Sequence, residues 1–427
     1  MRTARQFCCA GAALILLGAV PSRSLHGQNQ QPAAPQATFR ATTALVEVDV
    51  IAFDDKGRFV PGLTADDLAL LEDGKPQTIQ QFYMVTHDGT AAANPTVTAN
   101  TAQAESRAHR VFVMLFDEEH LANDSLHRVK KGAEEFIRDQ LRPGDIAGVF
   151  VNGEMYKGRL TSDKIELSLG VRAVKPAFDN RQALLAGFRQ FPRIPGEIDA
   201  ARIADGAREL VDQLGIQACN DDPFLCQAAG GLQVVENQIE RKARDYIRHA
   251  RVLTARTVQN LQYVVGRLSR IPGRKTLVFL SEGFFVEESR AMLQTVAAQA
   301  ARAGTAIYSI DGRGLIHGSS GIPDVLRPET ARSTVFDTGE DGPTILTAGT
   351  GGFRVSNIDD ISRAFGLIVR DTSTYYVIGY QPDNKVMDGK FRKIEVKTKV
   401  DGLNLRARKG YLAVALPPLE SIRGGGD

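Results

Sequence analysis

The chain begins its readable patterning with strict alternation. Val46, Val48 and Val50 are separated by Glu47 and Asp49, the period-two signature of a strand with one buried face. Asp54-Asp55-Lys56-Gly57 turns the chain, and Thr64-x-x-Asp67 has the spacing of a capping box over one short helical turn. A second turn at Glu72-Asp73-Gly74-Lys75 leads into a strand running through Phe82. Residues 38–85 therefore read as all-β. Residues 86–107 are rich in Ala, Thr and Asn without periodicity and read as a linker.

The pattern then changes. Arg110 to Asp117 carries an unbroken apolar run (VFVMLF) that stops on Asp117, Glu118, Glu119 and His120. So short a run of Val and Phe predicts a strand buried on both faces, with its acids where the strand leaves the sheet. A helix follows over Ser125 to Gln140, with Leu126, Val129, Ala133, Phe136, Ile137 and Leu141 as its buried stripe and Pro143-Gly144 as its stop. Asp145 to Val151 is the next buried strand, and Asn152-Gly153 folds Met155 to Leu160 back as an antiparallel edge. Further apolar runs at Thr276 to Leu280, Ala306 to Ile310 and Tyr375 to Tyr380 are interleaved with helical patterns at 288–303 and 358–371. Strands alternating with helices predict an α/β fold with a doubly wound, mostly parallel sheet.

Two stretches complete the pattern. From Val235 to Ile271, apolar or small residues recur every three or four positions, which predicts one long amphipathic helix, with Ala200 to Leu214 packing back on it as a shorter one. Arg241, Lys242, Arg244, Arg248, Arg251 and Arg256 decorate the long helix as a solvated or partner-binding face. Beyond the α/β part, Phe391 to Val400 alternates again and Asp401-Gly402 turns into Leu403 to Ala407. Because β segments flank the α/β part, the economical arrangement is one β-sandwich built from both ends of the chain, 38–85 and 384–416, with the α/β domain (108–383) inserted; two separate small β units are the alternative.

Composition narrows the setting. Arg2 and Arg5 precede an apolar core from Phe7 to Val20, too short to span a bilayer, so residues 1–27 read as a secretory signal, 28–37 as a tether and 417–427 as a tail. An uncleaved anchor is the alternative, and no later stretch is apolar enough to span a membrane. The 52 basic and 50 acidic residues nearly balance, so no global charge favours nucleic acid or anionic lipid. Beyond the leader only Cys219 and Cys226 remain, in CNDDPFLC. In an oxidising compartment they are expected to form a disulfide at the tip of a helical insertion spanning about 192–240; two thiols without a nearby His do not complete a zinc shell.

With these elements in hand, the chain resembles a von Willebrand factor type A domain. The resemblance rests on the 110–117 strand ending in Asp, LVFLSEGF (278–285), AIYSIDGRG (306–314), TAGTGGFRVSNIDDISRAF (347–365), TYYVIGYQPD (375–383) and the trailing RKGY. The β segments before and after make the whole similar to exported VWFA-related proteins of acidobacterial type. The resemblance implies a six-stranded sheet in the order 3-2-1-4-5-6 and a metal-ion-dependent adhesion site at its end. In that family an Asp-x-Ser-x-Ser run, a loop Thr and a later Asp hold Mg²⁺ or Mn²⁺ and leave one place open for a partner's carboxylate. Carried over residue by residue, Asp117 matches the first Asp. Glu119 and Leu121 stand in place of the two Ser, Asp179 and Asn180 lie near the expected Thr, and Glu282 stands for the late Asp. The motif is degenerate. Replacing a neutral ligand by Glu119 adds charge, and two carboxylates ~4 Å apart repel by roughly 4 kcal/mol at an effective dielectric near 20. A hard cation (Mg²⁺, Mn²⁺ or Ca²⁺) held by Asp117, Glu119 and Glu282 would cancel that repulsion. Glu118, His120 and Asp179 are the expected partner-facing residues, and His120 and His127 read as polar surface, metal ligands or pH-sensitive contacts.

No G-x-S-x-G elbow, H-E-x-x-H helix or G-x-x-x-x-G-K-[ST] loop is present, and Gly349-Thr350-Gly351-Gly352 lacks the Lys of a phosphate loop. The function expected from the sequence is an exported, non-enzymatic binding or adhesion-type protein, in periplasm or outside the cell, that recognises a protein or cell-surface partner. A structural envelope scaffold and a metal-dependent hydrolase are the alternatives.

Overall fold

A computed structural model describes residues 45–86, 91–93, 109–227, 230–284, 289–315 and 341–413. The expected signal, tether and tail lie outside the described residues, as does most of the expected linker.

Fifteen strands are described: β1 (Val46–Phe53), β2 (Leu68–Glu72), β3 (Lys75–Gln77), β4 (Ile79–Val85), β5 (Ala91–Ala93), β6 (Val111–Phe116), β7 (Ile146–Val151), β8 (Glu154–Met155), β9 (Lys275–Ser281), β10 (Thr305–Asp311), β11 (Arg354–Val355), β12 (Tyr375–Tyr380), β13 (Phe391–Thr398), β14 (Asn404–Ala407) and β15 (Gly410–Leu412). They form three sheets. The six-stranded sheet runs β11-β10-β9-β6-β7-β8. Its pairs are parallel except β7 with β8, the edge folded back by Asn152-Gly153. The other two sheets are antiparallel, ordered β14-β1-β12-β4-β5 and β15-β13-β2-β3.

The apolar run of β6 is explained by helices on both faces. Phe112, Met114 and Phe116 pack into a core with Val129, Ala133, Phe136, Ile361, Phe365 and Ile368, from the helix Asn123–Glu135 with its continuation Phe136–Gln140 and the helix Ile361–Ser373. Val111, Val113 and Leu115 pack on the opposite side with Val258, Leu261, Val265, Leu293 and Val296. Those residues come from the long helix Gly231–Leu268 and the helix Arg290–Arg302. Alternate side chains of one strand thus enter two cores, the doubly wound arrangement expected.

The sandwich draws on both ends of the chain. Val48, Val50, Leu70 and Phe82 meet Tyr376, Ile378, Tyr380, Ile394 and Tyr411 in one core. Tyr380 and Tyr411 both donate to the buried Glu72 carboxylate, at 2.6 and 3.0 Å, joining β12, β15 and β2. The polar face of β1 is covered as well: Asp49 faces the buried Arg274 at 3.8 Å, and the Glu47 carbonyl accepts from Arg408 at 2.6 Å.

Four placements differ from the pattern-based reading. Tyr375 to Tyr380 lies at the centre of the antiparallel five-stranded sheet, between β1 and β4, and not in the parallel sheet; a strand buried on both faces has the same apolar run in either setting. The sixth parallel strand is instead the two-residue β11. Inside the expected linker, Ala91–Ala93 pairs with β4. The single helix expected at 200–214 is two helices, Glu197–Ala204 and Arg208–Asp221, broken at Gly206, which has φ +96°.

The helices between 181 and 250 carry a core of their own, with Phe188, Ile203, Val211, Leu214, Ile239 and Tyr246. The long helix therefore serves two bodies. Its first half belongs to this extension and its second half to the sheet. Cys219 and Cys226 are paired where the chain turns into the long helix.

Candidate functional site at the sheet end

Asp117 follows β6 directly, and its backbone N–H still bonds to the Leu280 carbonyl of β9 at 2.9 Å. Its side chain therefore points into the end of the sheet, where it is buried. One oxygen accepts from Thr257 Oγ1 at 2.7 Å and the other from Ser281 Oγ at 2.6 Å, while His120 Nδ1 lies 3.0 Å from both. Burial alone would raise the Asp117 pKa. The adjacent His120 and the two hydroxyl donors outweigh it, so the carboxyl is held below its ordinary value.

Thr257 was not legible as a partner of Asp117. It sits on the buried stripe of the long helix, 140 residues away, and a Thr in an otherwise apolar stripe is the trace it leaves in the sequence. Replacing Thr257 by the near-isosteric Val removes one donor from a buried carboxylate. The expected loss is about 2 kcal/mol of unfolding free energy, read as a lower urea midpoint at unchanged slope.

Glu282 performs a different task. Its Oε1 accepts from the backbone N–H of Ala122 at 2.9 Å, at the start of the helix Asn123–Glu135, where no side-chain cap is otherwise present. A carboxylate from another element thus satisfies an end group of this helix. Its other oxygen lies 3.9 Å from Arg181, which is held in a fork by Glu197.

Glu119 and the exposed Asp179 share Arg256, at 3.5 and 3.1 Å. Glu118 is half-buried and accepts from the Asn152 N–H at 3.1 Å; burial pushes its carboxyl up to about 7. Asp311, at the end of β10, is gripped by Arg313 and Arg354.

The three acids expected to share a cation are therefore engaged separately: Asp117 by His120, Ser281 and Thr257, Glu119 by Arg256, and Glu282 by a helix end. Among the described residues no group of three or more His, Cys, Asp or Glu side chains is arranged to hold a metal ion. This donor set does not fit Mg²⁺, Mn²⁺ or Ca²⁺, because the three carboxylates are turned to separate partners and do not converge on one point. Of the residues expected to face a partner, His120 is buried, Glu118 is turned toward the β7–β8 hairpin, and only Asp179 stands on the surface.

Beside this cluster lies a cavity of about 310 Å³, lined by His120, Ala122, Arg181, Gln182, Leu185, Ala186, Arg189 and Glu282. Its outer wall is the helix Arg181–Phe188, capped by Asn180, whose Oδ1 accepts from Ala183 N at 3.0 Å. The loop before that helix is pinned across the acidic segment: Ala177 N donates to the Glu118 carbonyl and Arg181 N to the Glu119 carbonyl, both at 2.8 Å. Phe178, between these anchors, is 100% exposed.

Numbered in chain order, the parallel sheet is 3-2-1-4-5-6 with strand 3 reversed. The fold is von Willebrand A-like. No family model and no curated protein matches the chain. Among solved structures, it is similar to an aerotolerance-related membrane protein from Bacteroides fragilis NCTC 9343, at 13% identity and a TM-score of 0.31, over 62% of this chain and 98% of that one. It is also similar to the conserved hypothetical protein BatB from Bacteroides thetaiotaomicron, at 13% identity and 0.30, over 62% and 97%. The human COPII-coat protein Sec24c follows at 9% identity and 0.25, over 71% and 43%. The von Willebrand A-like description rests on strand order and helix layers, not on these overlaps.

Proposed function

We propose that this protein is a non-enzymatic recognition module that binds a protein or surface partner on the face beside its sheet end. The observation that carries the reading is Phe178. It is a wholly exposed aromatic on a loop fixed at both ends to the acidic turn that follows Asp117, with the Asp179–Arg256–Glu119 group nearby in sequence and by ion pair. Rigid aromatic and Arg side chains are the residue types that dominate protein interfaces. A metal-dependent hydrolase is less well supported, because Asp117, Glu119 and Glu282 are engaged by separate partners. The Cys219–Cys226 pair favours an oxidising location, periplasmic or extracellular.

A photo-crosslinking side chain at position 178 is expected to give a discrete adduct in cells, absent with the same group at Ile165, which is 75% exposed on the helix Lys164–Ala173. Phe178→Ala is expected to weaken the captured complex by roughly 2 kcal/mol, about thirtyfold. Identical adduct patterns from the two positions would remove the reading.

A further inference from the structure

The cavity beside Asp117 has a polarity that partner recognition on the outer face does not use. Its lining charges are unequally matched. Arg181 is neutralised by the fork to Glu197, which lies outside the cavity. Arg189, at the end of the helix Arg181–Phe188, has no ion pair with any described residue. Gln182 spends its side-chain oxygen on the Asn123 N–H at 3.3 Å, which leaves its amide NH₂ as a donor. Donors therefore gather on the helix side.

An acceptor lies on the sheet side. Glu282 commits Oε1 to Ala122 and keeps Oε2 for the cavity and Arg181. His120 commits Nδ1 to Asp117 and lines the cavity on the same side. Between the two sides the wall is apolar, from Ala122, Leu185 and Ala186. A volume near 310 Å³ is at the small end of ligand pockets and suits one amino-acid-sized molecule.

We propose that the cavity formed by His120, Gln182, Arg189 and Glu282 binds a small amino or hydroxy carboxylate, its anionic end on Arg189 and its ammonium or hydroxyl end on Glu282. An Arg–carboxylate contact supplies charge-assisted hydrogen bonds at one end, and the second Glu282 oxygen disfavours ligands that lack a donor at the other. The inference goes beyond partner binding and does not depend on it.

The test is calorimetric titration of the full chain with free α-amino acids, with hydroxy acids including uronates, and with their methyl esters as controls. Carboxylates are expected to bind, and esters are expected to bind at least roughly tenfold more weakly. Arg189→Ala, an exposed position, is expected to reduce carboxylate affinity by a similar factor while the melting temperature of the free protein stays unchanged. Glu282→Gln is expected to weaken amino acids more than hydroxy acids, which separates the two sources of the donor. No binding by any carboxylate up to about 10 mM, esters binding as well as acids, or affinity untouched by Arg189→Ala overturns the proposal. Phe178→Ala leaves these titrations unchanged, so loss of the partner complex and loss of the small ligand are told apart.

Discussion

Asp117→Ala is expected to cost about 4 kcal/mol of unfolding free energy, a large part of the roughly 5–15 kcal/mol that holds a typical domain together. The carboxylate joins four elements: its own strand, Ser281 at the end of β9, Thr257 of the long helix and His120 of the following turn. Removing it strands two hydroxyl donors and an imidazole in a buried site. The dependence on pH follows from the direction of the shift. A carboxyl whose folded pKa is depressed contributes stability above its unfolded pKa, near 4, and that contribution is lost as pH falls through the lower folded value. Wild type is therefore expected to lose stability in acid more steeply than Asp117→Ala. Glu118 acts with the opposite sign. Its carboxyl is raised from 4.5 to about 7, so its contribution is present in acid and lost as pH rises through that window. Urea titrations from about pH 3 to pH 8 read both slopes; equal acid slopes for wild type and Asp117→Ala would show that the Asp117 environment is not as described.

Gly352→Ala is the second large effect, expected at about 3 kcal/mol or more. A Cβ on Gly352 would stand 2.0 Å from the Ile307 carbonyl oxygen, which is backbone of a central strand and has nowhere to go. Gly351 beside it has φ +81°, and a Cβ there would meet the Arg408 nitrogen at 2.9 Å. Thr350 completes the contact by accepting from Ile307 N at 2.9 Å and donating to the Leu346 carbonyl. The Thr-Gly-Gly run is thus the passage by which the chain leaves its helix, crosses β10 at backbone distance and becomes β11. The matching Gly→Ala change at Gly187, where a Cβ meets nothing within 4 Å, is the control and is expected to move the thermal midpoint little. Comparable losses at the two positions would contradict the packing at Ile307.

Much of the fold was written locally. The period-two face of β1, the apolar run of β6 with its acidic stop, the Asn152-Gly153 turn and the three-to-four spacing of the long helix each follow from chemistry within a few residues, and each element formed. What was not legible depended on partners far along the chain. Tyr375 to Tyr380 has no period to betray its sheet, because both of its faces are covered. Ala91–Ala93 has no strand signature and is held by β4 alone. Arg354–Val355 is too short to carry a pattern.

The candidate site divides in the same way. Sequence alone determined that acids collect at the end of the first parallel strand and that Glu282 follows a neighbouring one, since strand direction and length fix where a chain emerges. Tertiary structure decided what those acids do. Thr257, 140 residues from Asp117, and Arg256 beside it arrive through the register of a 38-residue helix, and Arg181 arrives through an extension with its own core. A carboxylate's role is set by the charge and hydrogen atoms nearest to it in space, and for Asp117, Glu119 and Glu282 most of those belong to residues the local sequence does not contain.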